Sequence, residues 1–175
     1  MLYDVFGMCN PLYDIQAEVS EELLAGLGYP KGSMNLVDEN EQRELVSKVY
    51  AHIVNSEPGG SGANTMTGLS QLGGSAAFTG RVANDEHGKL YAEGLLARKV
   101  HPCTAIGEGT TGICLVLITP DAQRTMFTFL GIARDLHPKD LDLDALRKSR
   151  YLYVTGYLWD TETQKETVQI GRAHV

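Results

Sequence analysis

Two polar residues just after the first predicted strand are of types that can bind neighbouring hydroxyl groups. Asn10 and Asp14 stand in the run NPLYD, directly after a half-buried strand predicted over residues 2–8. A carboxylate accepts hydrogen bonds, whereas a side-chain amide both donates and accepts them. At the carboxyl end of a strand the two could therefore hold vicinal hydroxyls. The alternative is a plain turn, since Asn-Pro is a common turn dipeptide.

A glycine-rich segment over residues 59–88 supplies the second set of candidates. Gly59 and Gly60 lack a Cβ, so the backbone there can adopt positive φ and a ligand can approach the peptide closely. Asn64 falls in the first turn of a predicted helix, where backbone N–H groups are free and an amide can bond a hydroxyl. The alternative is a strand–turn–helix unit that only packs tightly.

The order and spacing of these residues resemble the N-terminal motif of the ribokinase-like sugar and nucleoside kinases, the PfkB family. The resemblance implies that Asp14 binds sugar hydroxyls and that the rest of the substrate site comes from Asn10, Gly59, Gly60 and Asn64. It also implies an α/β fold, a Rossmann-type α/β/α sandwich with a small β-sheet lid over the sugar. The sequence departs from the family pattern at three positions where small residues are usual: Cys9, Met66 and Ala83.

Residues 112–133 resemble the lid hairpin of adenosine-kinase-like members of this family. Arg124 matches a basic residue that approaches the transferred phosphoryl group in some of them, a role suited to a planar guanidinium. The alternative is a solvated arginine in a hairpin turn beside Asp121. Residues 151–160 resemble the segment that completes the substrate pocket, where Tyr157 and Trp159 are either base-stacking or packing aromatics.

The resemblance covers the substrate-binding half of the family only. Its Gly-Ala-Gly-Asp motif, which holds the anion hole and the catalytic base, and its Asn-x-x-Glu magnesium element do not occur in the sequence. We therefore expect residues 1–169 to be the N-terminal half of a kinase domain, incomplete, with lid segments at about 12–57 and 103–130. Its ATP and Mg²⁺ sites would lie in the other half. Residues 170–175, IGRAHV, match the translation of a common sequencing adapter and are expected to be an artefact.

The amino-acid composition narrows the classes of binding partner and the cellular compartment to be expected. The 175 residues carry 15 basic and 22 acidic side chains, a net charge of −7 without any basic run, which disfavours nucleic acid and anionic membranes as partners. Three cysteines without ligand spacing indicate reduced, buried thiols, and with the scattered histidines they predict no metal site. We expect a cytoplasmic protein with a small-molecule substrate; the oligomeric state is left open.

The elements that must position these residues alternate between strand and helix, which predicts an α/β fold with a second, smaller sheet. Ser20 and Asp38 are predicted helix N-caps, and Asp38 is followed by Glu41 in a capping-box pattern. The predicted strands cover residues 2–8, 12–19, 33–37, 75–83, 103–107, 112–119, 124–129 and 151–155. The other predicted helices are 89–98 and 141–148, with a last helix that begins at 161.

The family resemblance makes an ATP-dependent kinase acting on a primary hydroxyl of a ribose-type sugar or nucleoside the first hypothesis, with an adenosine-kinase-like member preferred. A ribokinase- or fructokinase-like sugar kinase is the alternative within the class. Outside it, a non-catalytic sugar-binding fragment remains open. A dinucleotide-binding domain is disfavoured, because G-x-G-x-x-G is absent from the sequence.

Overall fold

The computed structural model describes residues 2–174, so Met1 and Val175 lie outside the described residues. The elements follow in chain order: β1 (Tyr3–Met8), β2 (Leu12–Glu18), α1 (Glu21–Gly26), β3 (Met34–Leu36), α2 (Glu39–Val49), β4 (Ile53–Gly59), α3 (Ser61–Gln71), β5 (Ala76–Thr79), β6 (Arg81–Ala83), α4 (Glu86–Ala97), β7 (Val100–Pro102), β8 (Ala105–Gly107), β9 (Ile113–Ile118), β10 (Arg124–Phe129), α5 (Leu143–Arg147), β11 (Ser149–Val154) and α6 (Glu162–Arg172).

A parallel sheet of four strands, in the order β11-β1-β5-β7, forms the centre of the fold. Its strands are apolar because helices cover both faces. Phe78 packs into one core cluster with residues of α3 and α4, whereas Phe6 and Met8 pack into a second cluster with residues of α5 and α6. These layers confirm the α/β sandwich that the resemblance implied.

A second, mixed sheet has the strand order β3-β10-β9-β2-β4. Along β2 buried and partly exposed residues alternate, so that Tyr13, Ile15 and Ala17 face a core shared with α1 and α2. Asp14 and Gln16 consequently lie on the opposite face, the uncovered face, which points away from α1 and α2. The first strands of both sheets follow one another directly, and this brings the carboxyl end of β1 next to the uncovered face.

Predicted and observed strands differ most around residues 75–107. The strand predicted over 103–107 is shortened to β8, and β7, which lies before it, was not predicted; the chain leaves the central sheet after Pro102 and pairs β8 with β6 in a separate ribbon. The predicted lid segment 103–130 thus contributes to the second sheet only through β9 and β10. The strand predicted over 75–83 is divided at Gly80 into β5 and β6.

The helix caps read from the sequence are present. The side chains of Ser20 and Asp38 accept hydrogen bonds from the backbone N–H groups of Leu23 and Glu41. Helix α4 begins at Glu86 rather than Lys89, because Asp85 caps it by accepting from the Gly88 N–H at 2.8 Å. Glycine follows α3 as expected, since Gly73 has a φ of 92°.

The last helix includes part of the segment assigned to an adapter. Helix α6 ends at Arg172, and Ile170 packs against the second core cluster. Val175, the last residue of that segment, lies outside the described residues. The origin of residues 170–175 stays a prediction that the nucleotide sequence of the gene tests. Between residues 2 and 174 no helix has the length and hydropathy needed to cross a membrane.

Candidate functional site

A cavity of about 540 Å³ opens where the carboxyl end of β1, the start of α3 and the uncovered face of the second sheet meet. Five residues predicted for the site or its lid contribute to its wall: Asn10, Asp14, Gly60, Asn64 and Arg124. The sixth, Gly59, lies directly beneath the Asp14 carboxylate. The candidate residues therefore come together in space although they span more than one hundred positions of the sequence.

Asp14 is the acidic group in the middle of this wall. It lies opposite Glu57 of β4 and beside Cys114 of β9 in the sheet. The pKa of Asp14 is raised to about 7, chiefly by burial and then by the charge of Glu57, while Arg98 and Arg124 offset part of this rise. Among residues 2–174 no group donates a hydrogen bond to its carboxylate, which leaves both oxygens available to a ligand.

Glycine is required at both positions of the diglycine because other atoms lie close to the backbone there. A Cβ on Gly59 would lie 2.0 Å from the Asp14 carboxylate, so only glycine leaves room for the acid above β4. Gly60 has a φ of 83°, and a Cβ there would also lie 3.0 Å from the carbonyl oxygen of Asn10. Of the two glycines, Gly60 alone uses the left-handed backbone region expected for the pair.

Asn10 is held by the far end of the chain. Its side-chain oxygen accepts a hydrogen bond at 2.8 Å from Nε2 of Gln164, which also donates to the Ala133 carbonyl at 3.1 Å. Asn10 is only 4% exposed. One acceptor position of this oxygen is therefore used within the protein, and the amide nitrogen lies in a residue that lines the cavity.

Asn64 of α3 and Arg124 of β10 both line the cavity and are both exposed. The backbone N–H of Asn64 bonds the Gly60 carbonyl at 3.0 Å, which fixes the residue in the first turn of α3 as predicted. Asp121, the neighbour considered for Arg124, forms an ion pair with Lys31 at 2.8 Å instead. Within the described chain Arg124 has no acidic partner at ion-pair distance.

Sequence reasoning missed the apolar part of the wall. Six apolar side chains line the cavity. Five belong to strands of the second sheet and the last follows β10: Leu12, Met34, Leu36, Val116, Met126 and Leu130. Met34 and Leu36 are more than half exposed. Tyr157 and Asp160 complete the rim. Strand β9 is a continuous apolar run, ICLVLI, so its sequence does not tell which face meets a ligand.

A larger cleft of about 1030 Å³ lies between α2, the other face of the second sheet and the start of α4. None of the predicted site residues lines it. Gln42 lies in its wall with both side-chain polar atoms buried and without a hydrogen-bond partner. The smaller cavity is the better candidate, because the carboxylate, the amide and the diglycine converge there. No group of three potential metal ligands occurs among the described residues.

Comparison with known proteins places the chain among sugar and nucleoside kinases. Residues 32–172 match the family described as "pfkB family carbohydrate kinase". "Probable fructokinase-4" of Arabidopsis thaliana is 32% identical over 101 residues, which is 55% of this chain and 31% of that protein. A "5-dehydro-2-deoxygluconokinase" of Halalkalibacterium halodurans is 25% identical over 161 residues, 89% of this chain and 47% of the relative.

Two solved structures share the fold over nearly the whole chain. The structure described as adenosine kinase from Sinorhizobium meliloti has 33% identity and a TM-score of 0.82. The "probable sugar kinase protein" from Rhizobium etli CFN 42 has 31% identity and a TM-score of 0.86. In both, the match covers 99% of this chain and 54% of the other. The chain therefore spans about half the length of these structures.

Proposed function

The chain belongs to the pfkB family of carbohydrate kinases, and from that premise we propose that it forms the substrate-binding half of an ATP-dependent kinase. The acceptor in this proposal is a primary hydroxyl of a ribose-type sugar or nucleoside, with adenosine-like nucleosides preferred. The observation that carries the proposal is the Asp14 carboxylate, which stands in the cavity without a protein donor and directly above Gly59.

Asp14 suits a pair of sugar hydroxyls, because an ionised carboxylate accepts hydrogen bonds from both and such bonds are stronger than neutral ones. Asn64 and the backbone at Gly60 line the same cavity and would hold the ring together with Asp14. Binding the ring at several points fixes the direction of the reacting hydroxyl, which is the main contribution a protein makes to phosphoryl transfer.

The apolar wall favours a nucleoside over a free sugar. Met34, Leu36, Val116 and Met126 present an apolar surface at the side of the cavity formed by the second sheet. A flat base could bury its faces there, whereas a free sugar would leave this surface wet. The fructokinase relatives support the alternative, a ribokinase- or fructokinase-like sugar kinase. A non-catalytic sugar-binding role would need the same cavity and no phosphoryl donor.

In the proposed reaction Arg124 is the described residue best placed to meet negative charge. It lines the cavity from the start of β10 and is free of acidic partners within residues 2–174. A guanidinium there would stabilise charge on the transferred group. ATP with Mg²⁺ would supply that group; since the described residues contain no cluster of metal ligands, no residue of this chain is assigned to either.

The test is an activity panel on the full-length gene product, obtained from the continuous genomic reading frame. We expect saturable, ATP-dependent phosphorylation of adenosine or ribose, with a lower kcat/KM for fructose. We also expect the 175-residue chain alone to be inactive and to fold poorly, because the base, anion hole and nucleotide site of the family lie outside its sequence. Activity of the isolated chain would contradict the second expectation. A full-length product without phosphorylation of any sugar or nucleoside would contradict the first.

A further inference from the structure

Helix α4 holds the backbone of the diglycine strand through consecutive residues of β4. The Tyr91 hydroxyl donates to the Gly59 carbonyl at 3.1 Å. Arg98 donates through Nη1 to the Pro58 carbonyl at 2.8 Å and forms an ion pair through Nη2 with the Glu57 carboxylate. Three neighbouring positions of the strand, 57, 58 and 59, are therefore tied to one helix immediately before the backbone turns into the cavity.

Glu57 connects this arrangement to the acidic group of the site. It is the cross-strand partner of Asp14, and its other carboxylate oxygen accepts from Nε2 of Gln16 at 3.3 Å. Two carboxylates thus lie on neighbouring strands close enough to repel each other. Arg98 lies at the Glu57 carboxylate and offsets part of its charge, while its second donor fixes the peptide that precedes Gly59.

We propose that Arg98 is a positioning residue for the substrate site: by binding Glu57 and the Pro58 carbonyl it fixes the diglycine backbone and keeps the charge of Glu57 from opposing an ionised Asp14. The inference rests on the proposed function, because it assigns a role within that same site. Arg98 itself does not line the cavity and acts only through its neighbours.

The effect of the Arg98 charge on the pKa of Asp14 has a defined direction. The titratable and charged groups around Asp14 are Glu57 from β4, Cys114 from β9, Arg124 from β10, Tyr91 from α4 and Arg98, the C-cap residue of α4. Of these, Arg98 and Arg124 lower the pKa of Asp14 and Glu57 raises it. Without Arg98 the pKa of Asp14 moves above about 7, so that at neutral pH most of the carboxyl is protonated and accepts hydroxyl hydrogen bonds poorly.

The experiment uses Arg98→Met in the full-length kinase. At pH 7 we expect kcat/KM for the acceptor to fall about fivefold, mostly through KM, because a rise of the pKa from about 7 to about 8 lowers the ionised fraction from about one half to about one eleventh. The KM for ATP is expected to stay unchanged. The loss should shrink at pH 9, where Asp14 is ionised in both proteins. Adding Glu57→Gln to Arg98→Met should restore part of the loss, since it removes the opposing charge.

Lys89→Met is the matched control, because Lys89 lies on α4, whose C-cap is Arg98, and within residues 2–174 its ion pair is with Glu93 of that helix, at 3.9 Å. It should leave both kinetic constants and the pH profile unchanged. If Arg98→Met does not fold, Arg98→Lys tests the same point: it keeps the charge and loses the two-pronged contact, so its KM should rise with no shift of the pH profile.

A pH-independent loss that Glu57→Gln does not rescue would overturn the proposal, and so would an Arg98→Met enzyme with wild-type constants. Carbon-13 NMR titration of Asp14 separates this outcome from a failure of the proposed function, since it needs no activity. A pKa of Asp14 that rises in Arg98→Met supports the inference even if no sugar is phosphorylated, and an unchanged pKa overturns it even in an active kinase.

Discussion

The two large sheets of the molecule differ in how they are covered. The central sheet is covered on both faces, and Phe6, Met8, Ala77 and Phe78 are completely buried. The second sheet is covered on one face by α1 and α2, while its other face lines the cavity with Asp14 and apolar side chains. Both sheets are rich in apolar residues, but the second one leaves some of them, such as Met34 and Leu36, more than half exposed.

This difference assigns separate tasks to the two sheets. The central sheet stabilises the fold and fixes the end of β1 and the start of α3, the rigid backbone on which the site is built. The second sheet exposes more apolar surface than folding alone requires, for example Met34 and Leu36. A surface of this kind, adjoining a polar anchor, is typical of a ligand site.

The strongest test of the contrast is a core truncation in the central sheet. Phe78 is fully buried in the cluster shared with α3 and α4. We expect Phe78→Ala to lower the free energy of unfolding of the full-length kinase by about 3–5 kcal/mol. Urea denaturation measures this value. A loss below 1 kcal/mol would mean that this sheet is not the stabilising core.

A second test fills the space next to the Asp14 carboxylate in the second sheet. Gly59→Ala places a Cβ 2.0 Å from the Asp14 carboxylate, which must then move. We expect kcat/KM for the acceptor to fall at least about 100-fold, since a misplaced anchor loses its charge-assisted bonds. The control is Gly68→Ala in α3, where a Cβ meets no atom within 4 Å. Kinetics of Gly59→Ala within threefold of wild type would contradict the role given to the diglycine.

A third test measures how much the raised pKa of Asp14 lowers the free energy of unfolding. The pKa of Asp14 is raised from 3.8 to about 7 in the folded protein. Between these values the folded state binds more protons than the unfolded state, so the stability due to Asp14 falls as the pH rises through this window. The difference corresponds to at most about 4 kcal/mol, and partial solvent contact reduces it to about 1–2 kcal/mol.

Asp14→Asn removes this titration. We therefore expect the variant to be more stable than wild type at pH 8 by about 1–2 kcal/mol, and to lose this advantage at pH 4. Urea denaturation at both values checks the sign. If the stability of Asp14→Asn relative to wild type were instead lower at pH 8 than at pH 4, the pKa of Asp14 would not be raised in the folded protein.

The smallest effect concerns the apolar side chains that face the cavity. Met126 is only partly buried, so Met126→Ala should lower the free energy of unfolding by about 1 kcal/mol or less. Its KM for adenosine should rise about fivefold and its KM for ribose should not change, because only the base meets this wall. Equal changes for both substrates would favour the sugar-kinase alternative.

Local features of this fold could be predicted from the sequence because they depend on neighbours. Ser20 and Asp38 cap their helices as expected, and Asn64 lies in the first turn of α3, since each is determined by side chains within four residues. The change of sheet between β7 and β8, after Pro102, was not predictable. It depends on which distant strands, β5 and β6, are available for pairing.

The site shows the same division between local and distant determinants. The residue types and spacing of Asp14, Gly59 and Asn64 were sufficient to nominate them. The hydrogen bond between Asn10 and Gln164 joins residues 154 positions apart, and Arg98 reaches Glu57 across 41 positions. No periodicity or motif carries such contacts, so the partners that hold the site in place became visible only in three dimensions.

The central claim, that Asp14 anchors the hydroxyls of a sugar ring, is tested most directly by one kinetic cycle. It compares kcat/KM for the parent nucleoside and its 2′- and 3′-deoxy analogues in the full-length kinase and in Asp14→Ala. We predict a loss of at least about 100-fold for the parent, because two charge-assisted hydrogen bonds disappear, with the preference over the deoxy analogues largely abolished. An Asp14→Ala enzyme with near-normal efficiency and full discrimination against the deoxy analogues would contradict the account.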